Sequence, residues 1–511
     1  MKKQVKGLIA LGAATAVLGG GLILLKVTSP GKDSSSDISS TEETDTGSGL
    51  VLVEDSNDTP GSHTADESHT HGLVKDVKVK NEHGTMEVYM SNDADSIENA
   101  KYALKGFEDI RMIDSSVRMM TSSADNITST AVIEKDCTDF EKFGLGDTAV
   151  TVEMSYASGR TKKLYIGTVA PVSGGTYARV EGCDTVFTVS TSSVEYYLKS
   201  PEDYIELIML STPSEDDYPK VDSIRIERKD IEYDIYLEYG KYSDISNSGG
   251  SSATHVMIEP VETYLKVEAS ADITNGMFGL TAESVKCHHC TDKDIADAGL
   301  SDPYCTVTMK CDNGKDYVLL MSEPYTEEGV KKSNVMFKDA NIIFTVTCDK
   351  AKWATVMPED IASQNVFASF VWNVGELEAS ANGLNEKFTI SMKDSSKQTT
   401  DAKAEDVDVK RNGEGFDAER YRQFYAYMIQ LDAESLVMDG TEPSGEPMAK
   451  VVVKDSFLKT ENTFEFYDYS VMKCLVTVDG KSKYYCAKAN VNGLIENMRK
   501  LSTGEPFEEI K

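Results

Sequence analysis

The feature that most limits how this chain can fold is that it repeats itself. Three stretches open alike. The first runs Val74-Lys75-Asp76-Val77-Lys78-Val79, then Gly84 and Met86-Glu87-Val88-Tyr89. The second runs Val221-Asp222-Ser223-Ile224-Arg225-Ile226, then Tyr233-Asp234-Ile235-Tyr236, and the third Val374-Gly375-Glu376-Leu377-Glu378-Ala379, then Phe388-Thr389-Ile390. Each largely alternates apolar and polar residues, turns, and alternates again, which is the pattern of a β-hairpin with one buried face.

The middles correspond as well. Asp139-Phe140-Glu141-Lys142-Phe143-Gly144-Leu145 leads into Val150-Thr151-Val152-Glu153-Met154. Asp294-Ile295-Ala296-Asp297-Ala298-Gly299-Leu300 leads into Cys305-Thr306-Val307-Thr308-Met309. Gly144 and Gly299 stand where a helix stops with φ > 0, and Pro303 follows where a helix could not easily continue. Each copy closes on a strand: Val186-Phe187-Thr188-Val189, Ile343-Phe344-Thr345-Val346 and Tyr484-Tyr485-Cys486-Ala487. Short helices follow these strands. The first two copies end on Pro201-Glu202-Asp203 and Pro358-Glu359-Asp360; the third lacks that tripeptide. Between hairpin and middle lies a helix candidate, clearest over residues 418–430, where Tyr421, Phe424, Tyr425 and Met428 share a stripe.

A unit of about 140 residues can hold its own core and is too long for a solenoid repeat. The sequence therefore predicts an α+β chain of three tandem modules with mostly antiparallel sheets, at 73–215, 219–368 and, more divergent, 370–511. Ser246-Asn247-Ser248-Gly249-Gly250-Ser251-Ser252 reads as a loop insertion in the second module, and residues 393–415 as a polar insertion in the third.

The hairpin opening, the Asp-x-x-x-x-Gly-Leu element, the Leu164-Tyr165-Ile166-Gly167 strand, the Gly174-Gly175-Thr176-Tyr177 turn and the Val186-Phe187-Thr188-Val189 ending resemble the DUF4340 family. The resemblance is best over residues 74–210. The second copy has Leu319-Leu320-Met321-Ser322 in place of the Ile-Gly strand end and lacks the paired glycines; the third keeps the outline only. The resemblance implies a membrane-anchored extracytoplasmic protein, of a kind often encoded beside ABC transporters of the gliding-motility type. It implies an accessory role and brings no catalytic residue with it.

The N-terminus fits that expectation independently. Residues 1–6 carry three lysines, Lys2, Lys3 and Lys6, and 7–25 carry no charge. That is about the 20 residues a membrane-spanning helix needs, with its backbone groups satisfied internally and its lysines kept on the cytoplasmic side. Ala14-Thr15-Ala16 has the form of a cleavage site, but the apolar run continues behind it to Leu25, and no cysteine for lipoprotein processing precedes Cys137. An uncleaved anchor is the expectation, single-pass in the plasma membrane with the body outside. Gly12, Ala16 and Gly20 share one face of it, where a partner helix such as an ABC permease's could approach; small residues are also common in such helices. Residues 26–72, acidic and rich in Ser and Thr, read as a flexible stalk. Gly49-Leu50-Val51-Leu52-Val53-Glu54 is an apolar island within it, fit for a strand or a docking tag.

The chain has 52 Lys and Arg against 85 Asp and Glu, a net charge of −33. That argues against nucleic acid and against lying flat on anionic lipid. Nine cysteines is an odd number, so at least one is free or pairs between chains. Cys287-His288-His289-Cys290 is the sharpest local cluster, and Cys305 and Cys311 could complete a zinc set. Successive strand residues point to opposite faces, however, so four in a row cannot converge. A buried Cys287 with a more exposed Cys290 is expected, with a disulfide and a metal site as the alternatives. His63, His69 and His71 beside Asp66 and Glu67 could hold a metal transiently, though the segment reads as a solvated tail.

Gly480-Lys481-Ser482 ends like a phosphate loop, but Leu475 stands where its first glycine should, so Asp479-Gly480 reads as a hairpin turn. There is no Gly-x-Ser-x-Gly and no His-Glu-x-x-His. Tyr196-Tyr197 and Tyr484-Tyr485 are expected to split between core and surface. No catalytic, cofactor or metal residue is assigned. The expectation is a non-enzymatic accessory or interaction protein of an ABC-transporter or envelope system, with a glycan- or peptide-binding surface protein as the alternative and an envelope hydrolase as the least favoured.

Overall fold

Where the sequence alternates, the structure has strands, and where the alternation slips, it has a bulge. The computed structural model describes residues 48–65, 71–171, 175–240 and 254–510. The apolar segment 7–25 with Gly12, Ala16 and Gly20, most of the acidic linker and the Ser246–Ser252 insertion lie outside the described residues. Among the described residues no helix is long and apolar enough to cross a membrane.

Three antiparallel sheets with few helices make up the body, mostly β within an α+β architecture. The first is built from β1 (Val51–Val53), β2 (Val74–Asn81), β3 (Gly84–Met90), β4 (Tyr102–Leu104), β5 (Ile127–Glu134), β6 (Val150–Tyr156), β7 (Thr161–Val169), β8 (Thr176–Val180) and β9 (Val186–Val189). Its order is β1-β5-β9-β8-β7-β6-β2-β3-β4.

The second contains β10 (Val221–Arg228), β11 (Ile235–Tyr239), β12 (His255–Glu259), β13 (Thr263–Tyr264), β14 (Ser284–His288), β15 (Cys305–Cys311), β16 (Asp316–Met321), β17 (Tyr325–Glu327), β18 (Val330–Phe337) and β19 (Ile342–Thr347). It is ordered β13-β12-β11-β10-β15-β16-β18-β19-β14, with β17 paired to β18 off that path.

The third contains β20 (Val374–Ala381), β21 (Leu384–Met392), β22 (Val407–Arg411), β23 (Glu414–Phe416), β24 (Ala433–Leu436), β25 (Ala449–Asp455), β26 (Thr460–Asp468), β27 (Lys473–Val478) and β28 (Lys481–Ala487). Its order is β23-β22-β21-β20-β25-β26-β27-β28-β24.

The three orders superpose. In each, the opening strand pairs its hairpin partner on one side and the middle strand on the other, and the closing strand carries the strand that follows the helix. The opening strands share a further detail. Val74 and Val77, Val221 and Ile224, and Val374 and Leu377 are three apart yet all buried. Pure alternation would put them on opposite faces. The pairing with the middle strand slips between Val74 and Asp76, between Val221 and Ser223 and between Val374 and Glu376, one bulge per sheet at the same place.

The principal helices are α1 (Asp114–Ala124), α2 (Val267–Asn275), α3 (Asp292–Asp297), α4 (Ala418–Ile429) and α5 (Lys488–Thr503). Helices α1, α2 and α4 lead into β5, β14 and β24, of which β14 and β24 are edge strands and β5 is covered by β1. The stripe expected on α4 is buried at Tyr421, Phe424, Tyr425 and Met428, with Tyr427 added. Gly144 and Gly299 adopt φ of 70° and 77° after a 3-10 turn and after α3.

Two readings of the sequence are corrected here. Residues 48–65 pack on the first sheet rather than forming part of a stalk, and the apolar island is the strand it was fit to be: β1 is wholly buried and pairs with β5, Val51 opposite Thr128 and Val53 opposite Ile127. The apolar island has found an open edge whose backbone groups it satisfies. The polar insertion at 393–415 contains β22 and the first two residues of β23, strands that extend the third sheet as β12 and β13 extend the second.

Candidate functional site at the junctions

Adjoining sheets are joined by backbone, and the same way twice. Pro201 opens a 3-10 turn in which the Asp203 carboxylate accepts from the backbone N–H of Ser200 at 2.8 Å. Pro358 opens a helical turn in which Asp360 accepts from the N–H of Met357 at 2.8 Å. The Pro-Glu-Asp tripeptide is thus a capped turn, and it aims the chain into an extended exit segment.

At the first junction that segment pairs with its own unit through Ile113 N–H to Tyr204 O (2.7 Å) and Glu206 N–H to Arg111 O (2.9 Å). It then pairs with the next unit through Ala282 N–H to Leu207 O, Met209 N–H to Leu280 O and Gly279 N–H to Leu210 O, all at 2.7–2.8 Å. At the second, Lys266 N–H donates to Ile361 O and Ser363 N–H to Tyr264 O, both at 2.8 Å, before Ala433 N–H donates to Gln364 O at 2.6 Å. Each exit segment therefore lies along the approach to the next sheet's edge strand, β14 or β24. On β5 the equivalent place is held by β1, with Ser129 N–H donating to Leu50 O at 2.8 Å.

Side chains add to the first junction. His289, with φ 49°, ends the β14 strand and lets two imidazoles reach back to the preceding unit. His288 Nε2 lies 3.1 Å from Glu202 Oε1 and His289 Nε2 3.0 Å from Asp109 Oδ1. Their Nδ1 atoms are 3.0 Å apart, and Phe107 packs against both rings. The His289 hydrogen bond holds the Asp109 carboxyl below its usual range. Glu202 is also held low: burial acts upward, and its own backbone N–H and His288 outweigh it. At the second junction Thr263 Oγ1 and Tyr484 Oη are 2.8 Å apart, and Lys483 lies 3.5 Å from Glu262.

Cys287 and Cys290 are both half-buried and free, against the expectation of one buried and one more exposed. They pack together beside Ala298, Leu300, Met336 and Ile343. Burial first, and then Cys287, push the Cys290 thiol up to about 12, so it is a poor nucleophile at neutral pH. Cys305 and Cys311 lie in a different apolar cluster, and burial pushes their thiols up to about 12 and about 11. The four cysteines do not converge.

His63 and His71 also separate. His63 faces Glu54, whereas His71 Nδ1 lies 2.9 Å from Asp125; His69 is outside the described residues. Asp479 and Gly480, with φ of 52° and 79°, form the turn between β27 and β28. Tyr197 is buried and Tyr196 half-buried, as expected of a split pair. Tyr484 and Tyr485 are both buried instead, in two different clusters. The junction pairing left no signal in the sequence beyond the Pro-Glu-Asp turns. The histidine contacts were hidden because Glu202 and Asp109 are two among 85 acids.

Residues 108–238 match the family model described as "Domain of unknown function (DUF4340)". The match begins ahead of α1 and ends in β11, so it spans the first junction. No curated protein and no solved structure matches the chain.

Proposed function

We propose, from the premise of a chain that carries a DUF4340 segment, that this is a non-enzymatic accessory protein held to a membrane by residues 7–25, with its body outside the cytoplasm and an ABC-transporter or other envelope assembly as its partner. The observation that carries the reading is the repeated backbone hand-over. It ties successive units through backbone hydrogen bonds, which suits a stiff spacer or docking body better than a site that must open and close. The uncharged run behind three lysines supports the anchor, and Gly12, Ala16 and Gly20 supply the face for a partner's helix. Affinity purification from membranes tests this. Permease subunits should co-purify with the native chain and be lost when Gly12, Ala16 and Gly20 are replaced by leucine. Recovery of the chain alone from native membranes overturns the transporter assignment.

One observation favours the alternative, a glycan- or peptide-binding surface. The loop between β26 and β27 presents Val471 at 89% and Met472 at 73% exposure beside Tyr469, whose ring lies 4.7 Å from that of Tyr485. An apolar tip beside a pair of mutually tilted tyrosine rings is a suitable platform for a sugar ring or a peptide side chain.

A further inference from the structure

The loop after β1 brings together three side chains that no motif would have grouped. One ligand atom each from Glu54, Asp58 and His63 lies within 4.8 Å of the other two. We propose that these residues form a binding site for a divalent transition-metal ion of the zinc class.

The loop is fixed at its base. Leu50 bridges Thr64, Val51 N–H donates to His63 O at 2.9 Å and Gly61 N–H to Val51 O at 2.7 Å. Within it, Ser56 positions both acids: its hydroxyl donates to Glu54 Oε1 at 2.7 Å and accepts from the backbone N–H of Asp58 at 3.0 Å. The Glu54 side chain is 5% exposed and that of His63 12%. His63 Nε2 itself is buried without a hydrogen-bond partner, although Glu54 Oε1 is only 3.3 Å away. The nitrogen thus lies beside a carboxylate without a hydrogen bond to it, an arrangement that a shared cation would complete. On the other side of the ring, Ser62 Oγ lies 3.3 Å from Nδ1. A proton held on Nδ1 and donated to Ser62 leaves the Nε2 lone pair free for a metal, the usual outer support for a ligating imidazole.

The donor set selects the ion. One imidazole and two carboxylates suit zinc and its neighbours, whereas calcium and magnesium prefer oxygen alone. Bonds of about 2.1 Å place tetrahedral ligands about 3.4 Å apart. The cluster is looser than that, and Asp58, which is exposed, can swing in to close it and marks the side from which the ion enters. A bound ion would clip the membrane-proximal end of the body onto the edge of the first sheet.

The test is a zinc titration, by calorimetry, of the full chain in detergent after stripping with chelator. One saturable site is expected, and the Tm should rise on loading. Asp58→Asn, on the exposed side, should weaken binding about tenfold or more, and His63→Gln should remove it. His288→Gln with His289→Gln should leave it unchanged. Absence of saturable uptake at micromolar zinc overturns the proposal, as does a site that persists at full affinity in Asp58→Asn. Should His63→Gln fail to fold, the Asp58→Asn result decides.

Discussion

Two glycines let two of the shared elements meet closely in the first unit. Gly144 and Leu145 end the Asp-x-x-x-x-Gly-Leu element, and Gly167 ends the Leu-Tyr-Ile-Gly strand. A Cβ on Gly167 would run into the Phe143 carbonyl oxygen and crowd Leu145, while one on Gly144 would meet the backbone nitrogen of Thr168 at 3.0 Å. The two elements are pressed backbone to backbone. In the second unit the contact is looser: a Cβ on Gly299 would meet only Cβ of Ser322, at 3.4 Å. That is why Ser322 can stand where the first unit needs Gly167. Gly167→Ala should therefore destabilise the protein by about 1–3 kcal/mol through overpacking. Gly415→Ala, where nothing lies within 4 Å, should cost far less. Urea midpoints of the two variants check the contrast.

The distinctive device among the elements is the exit segment. An exposed sheet edge invites pairing with other chains, and here each edge that follows a helix is met by a short extended piece from the preceding unit or, at the start, by β1. The third unit has no Pro-Glu-Asp turn. Its chain continues into α5, and residues after it fold back, with Arg420 over the Phe507 ring and Lys500 paired to Glu508. Met209→Pro removes the N–H that donates to Leu280 O, together with a half-buried side chain at the margin of the second core. Limited proteolysis should then cut between the first two sheets many times faster than in the native chain. An unchanged cleavage rate would mean that the side-chain contacts of His288 and His289 hold the junction without the backbone pairing.

Cores divide the whole molecule differently from the repeat. One apolar cluster fills the first sheet from Leu52 to Tyr204. A second runs without interruption through the second and third sheets, from Val221 to Leu501, and takes in Ile110 and Ile205 of the first unit. Units that share a continuous core unfold together. Calorimetry should therefore show two transitions rather than three. The larger should belong to residues 221–510, and destabilising the first core by Val77→Ala should move only the other. Three separable transitions would show that the second junction is no tighter than the first.

The repeat, the hairpins, the helix-stopping glycines and the α4 stripe were legible because each is a local period: a residue's neighbours in sequence state which face is buried. The bulge was not legible: Val74 and Val77 stand three apart in the sequence, but only the pairing with the middle strand shows the slip. What the tertiary structure alone decided is which segment lies beside which. Residues 48–65 looked like linker because their polar loop lowers the local hydrophobicity; the island within them read as a strand or a docking tag, and only the edge of β5 decides that Val51–Val53 is a strand and what it pairs with. Exit segments pair through backbone N–H and C=O groups, which every sequence carries and none advertises. Glu54 with His63, and Glu202 with His288, are long-range or loop-borne pairings in a chain where acids are everywhere. Their partners are set by the fold's geometry, and no spacing in the sequence encodes it.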